Sequence, residues 1–197
     1  MWPFGKTKPE ILAADQLVEH VVAASRQPDI YAHELAMDDF PGRLDMLWIF
    51  ASIMIWTLRH GTAPDEILAQ TFVDRLFKNV DQALRDMGVG DMSIARKARR
   101  HASEFLGRSK SYCQAFDHQD DAALQETLAR NLYRAADLSE SPIDTRQKVM
   151  ILSQYVWECL ASLKELDAAA RLQSEPIFPS IHVKPASFVA QSGANSA

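Results

Sequence analysis

The chain has 197 residues, 47% of them hydrophobic, which allows one sizeable core and requires no second domain. Its formal charge of −5 excludes a molecule that binds polyanions over its whole surface, although a local basic face stays open. Two cysteines, Cys113 and Cys159, match no metal-ligand spacing and are too few for a disulfide-built secreted fold, so a reducing compartment fits.

The first residues, MWPFGKTKPE, carry neither an apolar signal core nor an Arg-rich, acid-poor import extension, and the protein is expected to work where it is made. A first helix is predicted from about Pro9 to Arg26, with Ile11, Leu12, Leu17, Val21 and Val22 on its apolar side and Gln27-Pro28 stopping it. An irregular stretch with Tyr31 and a turn-like Asp-Phe-Pro-Gly follows. The second helix, from about Arg43 to Leu58, is apolar almost all round and belongs at the centre of a bundle. Its uncharged run from Met46 to Leu58 would span about 20 Å as helix, against roughly 30 Å of bilayer hydrocarbon, too short to cross. Within it Trp48, Trp56, Met46 and Met54 are expected to pack in the core rather than to present an apolar surface to a client.

Pro64, Asp65 and Glu66 supply the first turn of a third helix that reaches about Met87, with Leu68, Phe72, Leu76, Val80 and Leu84 recurring every four residues. A fourth is predicted from about Met92 to Phe116 and a fifth from about Asp121 to Arg134, capped by Asp120 or Asp121. Ser141-Pro142 opens a sixth that runs to about Leu172, with Val149, Leu152, Val156, Leu160, Leu163 and Leu166 on one stripe. No period-two run bounded by turn residues reads as a strand, so the fold class is all-α. Residues 1–173 form a single helical domain of five to six main helices, and 174–197, rich in proline, serine and small residues, read as a flexible tail.

The stretch MGVGDMSIARKARR, Met87 to Arg100, is the part most open to a functional reading. As a phosphate loop it lacks a preceding strand and a closing Lys-Ser/Thr. As a corner it is coherent: Gly88 sits just past a helix end, where a left-handed residue is cheap, Val89 and Gly90 follow, and Asp91 or Ser93 caps the next helix. At 100° per residue, Arg96, Arg99, Arg100 and Lys110 share one face, with Lys97 and Arg108 at its edge and Ile94, Ala98, Ala102, Phe105, Tyr112 and Phe116 opposite. From Met92 to Lys110 six cations meet one acid, Glu104, a local charge of +5 that leaves −10 for the rest of the chain. An ordinary solvated helix face accounts for this, and so does a surface for docking an anionic partner.

Several stretches resemble one family. SRQPDIY (25–31), PGRLDM (41–46), DQALRDMGVGDMSI (81–94), FLGRSKSY (105–112) and LARNLY (128–133) are similar, in order and spacing, to the ubiquinol-cytochrome c chaperone family, over about residues 20–135. The resemblance implies an all-helical, non-catalytic assembly factor for the cytochrome bc1 complex that assists cytochrome b or another subunit. It also implies a small partner protein, the ribosome and peripheral membrane contact as associates, with no DNA. The missing import extension points to a bacterial member, cytoplasmic or peripheral at the inner face of the inner membrane.

On these grounds Arg96, Lys97, Arg99, Arg100, Arg108 and Lys110 are the candidate partner-binding residues, and Arg43, Asp45, Gly88, Gly90, Asp91 and Asn131 are motif residues with structural roles. Arg43 and Asp45 suit a helix start or ion pair, and Arg108 and Asn131 suit internal polar contacts. The histidines at 20, 33, 60, 101, 118 and 182 form no i,i+4 pair, no Gly-x-Ser-x-Gly elbow occurs, and no nucleophile, base and oxyanion donor assemble. No cofactor or metal site is therefore expected. The alternative is a helical enzyme or carrier that holds a quinone-like or other apolar molecule between its helices.

Overall fold

The computed structural model describes residues 8–61, 64–88, 91–165 and 176–183, with residues 8 and 91–95 described only as helix. The described residues form seven helices and no strand: α1 (Lys8–Ser25), α2 (Pro28–Ala32), α3 (Phe40–His60), α4 (Glu66–Asp86), α5 (Asp91–His118), α6 (Asp121–Leu132) and α7 (Ile143–Lys164). The architecture is all-α, as the spacing predicts.

α3 is the centre. It contacts α1, α4, α5, α6 and α7, and from Trp48 to Ile55 every residue is buried. A helix surrounded in this way cannot be amphipathic, so its apolar character all round is the cause of its position. Met46, Trp48 and Met54 lie in this core, while Trp56 is half-buried and donates its indole N–H to Asp117 at 2.8 Å.

Asp-Phe-Pro-Gly is not a turn but the start of α3. The Asp39 carboxylate accepts from the Gly42 N–H at 2.8 Å, and Pro41 occupies a first-turn position where no N–H is needed. Gly42 is required by contact: a Cβ there would stand 2.2 Å from the Met37 carbonyl oxygen. Pro28, expected only to stop α1, also opens the short α2, whose Ile30 is buried. Asp65 and Asp120 cap α4 and α6 through the N–H groups of Leu68 and Ala123.

α1 and α4 run in the same direction, tied by Asp15 and Arg75, whose Nη2 donates to Oδ2 at 2.9 Å. α7 lies against α6 and α3 and is described to Lys164, so the stretch expected to continue it to Leu172, with Leu166, lies outside the described residues.

Residues 176–183, within the stretch read as a tail, pack against the helices. Ile177, Phe178 and Ile181 are buried, with the Phe178 ring edge-on to Phe50 at 5.2 Å. Gln27 accepts from the Ile181 N–H at 2.8 Å, and the Tyr155 hydroxyl donates to the Pro179 carbonyl at 2.7 Å. The proline and serine content concealed three apolar side chains that fill a groove between α1, α3 and α7, where two side chains satisfy the extended backbone.

Candidate docking surface

The corner between α4 and α5 ends α4 at Met87, whose N–H reaches the Ala83 carbonyl at 3.1 Å, and Gly88 follows at φ +78. In that conformation the Gly88 N–H closes on the Arg85 carbonyl at 2.8 Å. Gly90, Val89 and the side chains of Asp91 and Ser93 lie outside the described residues, and with them the expected cap.

From residue 96 onward α5 has two faces. Arg96, Lys97, Arg99, Arg100 and Lys110 are exposed, whereas Phe105, Tyr112, Ala115 and Phe116 are buried against the core. Arg100 donates to Glu104 at 2.8 Å, one turn on, and His101 Nδ1 stands 3.4 Å from the same carboxylate. Burial raises the Glu104 pKa, but these contacts more than offset it and hold the carboxyl below its ordinary value.

Arg108 departs from the face on which its spacing puts it at the edge. Its side chain turns inward and pairs with the buried carboxylate of Asp45 on α3. The position lies close enough to the Phe105–Tyr112 side of the helix for a long side chain to reach under it. Arg134, beyond the end of α6 at φ +56, closes on the other oxygen of Asp45 at 3.2 Å and donates to the Asn131 carbonyl. The Asn131 amide donates to the Tyr112 hydroxyl at 3.1 Å.

Asp45, Arg108, Asn131 and Tyr112 therefore form an internal tie between α3, α5 and α6. Burial raises the Asp45 carboxyl above its usual value, against the opposing pull of both arginines. Burial likewise raises the Tyr112 hydroxyl. Arg43 stays outside this tie, exposed on α3, donating to Asp38 at 2.6 Å with its guanidinium 5.0 Å from the centre of the Tyr31 ring.

Beside the basic face lies a groove that sequence reasoning missed. It holds about 290 Å³, opens to solvent, and is bounded by the end of α1 (Val22, Ser25, Arg26), the start of α3 (Phe40, Arg43, Leu44, Leu47) and the end of α4 (Asn79, Val80, Ala83, Asp86, Met87). Phe40 and Met87, at 40% and 53% exposure, stand out of the core. Phe40 also meets the His101 ring edge-on at 6.3 Å, which joins the groove to α5. The signal available in the sequence was two large apolar residues at helix ends, beside Pro41 and Gly88.

The profile of the ubiquinol-cytochrome c chaperone family matches residues 35–178, well over half of the chain. The chain belongs to that family. The match starts after SRQPDIY and continues past residue 135, so family character includes α7, which the sequence motifs had left out, and reaches Phe178 in the docked segment. Among solved structures, the chain is similar to one described as the crystal structure of the Cbp3 homolog from Brucella abortus, at 29% identity and a TM-score of 0.64, covering 81% of this chain and 86% of that one. No curated protein matches it.

Among the described residues no helix is long and apolar enough to cross a membrane, and no three His, Cys, Asp or Glu side chains are grouped to hold a metal ion.

Proposed function

We propose that this protein is a non-catalytic chaperone in the assembly of the cytochrome bc1 complex, acting by docking to cytochrome b or another subunit of that complex. The family match over residues 35–178 is the observation that carries the reading, and the similarity to a Cbp3 homolog supports it. The basic face of α5 is the surface assigned to the partner. Arg96, Lys97, Arg99, Arg100 and Lys110 are exposed along a helix whose other side is anchored in the core, so they meet an acidic or phosphate-rich surface without refolding. Arg108 is withdrawn from that assignment because its charge is engaged by Asp45.

Exposed cations steer and orient a partner more than they add affinity, and their effect falls with salt. The test is co-purification of newly made bc1 subunits with the full chain, compared with an Arg96→Glu, Arg99→Glu, Arg100→Glu variant over a range of salt. Recovery that falls with salt and is lost in the variant supports the reading. Recovery unchanged by both removes α5 as the docking face. A small partner protein and the ribosome, as further associates, are read in the same experiment.

A further inference from the structure

The groove between α1, α3 and α4 is built rather than incidental. Phe40 projects from a helix start fixed by the Asp39 cap and by the close fit of Gly42 against Met37. Met87 is held at the α4 end by its bond to Ala83. Arg43 donates to Asp38 at 2.6 Å beside the Tyr31 ring, so its charge at the rim is already partnered. A wall fixed in advance lowers the entropic cost of association.

The lining selects a chemistry. Val22, Leu44, Leu47, Val80 and Ala83 make an apolar floor between two exposed apolar residues, Phe40 and Met87. The space lies at the lower edge of the roughly 300–1,000 Å³ typical of small-molecule sites and is open to solvent, which suits side chains projecting from a segment that lies across it. On the rim stand Arg26 and Arg43. Lys97 precedes His101 by four residues, shares its side of α5, and so lies toward Phe40. Asp86 lines the groove and Asp38, paired with Arg43, stands beside it, two acids against the three cations Arg26, Arg43 and Lys97. The rim thus favours a carboxylate over a cation on the incoming segment.

We propose that this groove receives an amphipathic helical segment of a bc1 complex subunit, which places apolar side chains spaced i, i+3 or i+4 between Phe40 and Met87 and turns a carboxylate toward Arg26 and Lys97. This rests on the chaperone reading and names the apolar half of its contact, beside the charged half on α5. Residues 40–47 and 79–87 of the lining fall within the matched family segment.

The probe is a set of overlapping synthetic peptides covering the bc1 subunits, with binding to the full chain read by fluorescence anisotropy. Peptides with an acid-flanked apolar pair should bind. Ala83→Phe, which fills the groove, and Phe40→Asp should each weaken them at least tenfold while helical circular dichroism is kept, and Lys97→Glu should weaken them several-fold with a reduced salt dependence. Ala83→Phe adds bulk inside the fold, whereas Phe40→Asp and Met87→Asp change exposed positions and decide the matter alone.

No peptide bound, or equal binding to all variants, overturns the proposal. So does a dimer in sedimentation that Phe40→Asp dissolves, which would make a second copy the occupant, or an apolar small molecule that co-purifies with the wild type and is lost in that variant. In cells, a gene deletion that lowers the bc1 complex and is fully rescued by Phe40→Asp overturns the groove and leaves the chaperone reading standing. A deletion without effect on the complex overturns both.

Discussion

Gly88 and Gly42 are both required, for different reasons. At Gly88, φ is +78 and a Cβ would meet nothing within 4 Å, so the cost of a side chain is conformational. Gly88→Val should destabilise by about 1–2 kcal/mol in denaturant unfolding, and an unchanged midpoint would remove the reason given for that glycine. Gly42→Ala instead drives a methyl into the Met37 carbonyl and should cost more than Gly88→Ala. Asp45 and Arg108 offer a sharper test, since removing one partner of a buried ion pair typically costs about 3–5 kcal/mol. Arg108→Met should lower stability on that order while the folded protein binds its partner as before; lost binding at unchanged stability would return Arg108 to the docking face. Asp121 supplies a pH dependence. Burial raises its pKa, but hydrogen bonds from Ser153, Trp157 and Gln125 outweigh that and hold it below the usual carboxylate value. Its contribution is thus present above the ordinary aspartate pKa of about 3.9 and lost as pH falls through the lowered folded value. The stability gap between wild type and Asp121→Asn should narrow in acid over that window, and a gap that widens would contradict the assigned contacts. Gly88 was legible because chain-local geometry sets its role. The pairing of Asp45 with Arg108 and Arg134, 63 and 89 residues away, was not, because no local spacing encodes it.

At the scale of elements, periodicity located every long helix, because each turns a 3.6-residue apolar stripe to the core or, for α3, is buried on all sides. The misreadings fell where backbone chemistry and burial compete. Phe40-Pro41-Gly42 looked like a turn because proline and glycine punctuate loops, yet both are also at home in a first helical turn behind an aspartate cap. The segment 176–183 looked like tail by composition, and its fate depended on a groove that only the folded helices make. Phe178→Ala should cost about 3–5 kcal/mol, as a buried phenylalanine does, and cooperative unfolding followed by circular dichroism will register it. A loss near zero would mean that the segment is only loosely seated. Reversing Arg96, Arg99 and Arg100 should leave helical content intact, because these side chains are exposed on a helix anchored in the core by its other face.

For the whole molecule, a net charge of −5 coexists with a helix face of opposite sign, so the charge acts through placement and not through its total. That face was readable from the order of residues, as were the resemblance to a family of assembly factors and its all-helical class. The groove was not, since its lining comes from three helix ends separated by up to 65 positions, Val22 to Met87, and is assembled only by the parallel course of α1 and α4 around the start of α3. Face and groove adjoin through Phe40 and His101, so one partner can engage charge and apolar surface together. The most direct measurement is the amount of assembled bc1 complex, by native gel and haem absorbance, in cells from which the gene is deleted and in cells with the gene restored. The account predicts loss of the complex on deletion and recovery with the wild-type chain. Normal levels of the complex without the gene would contradict it.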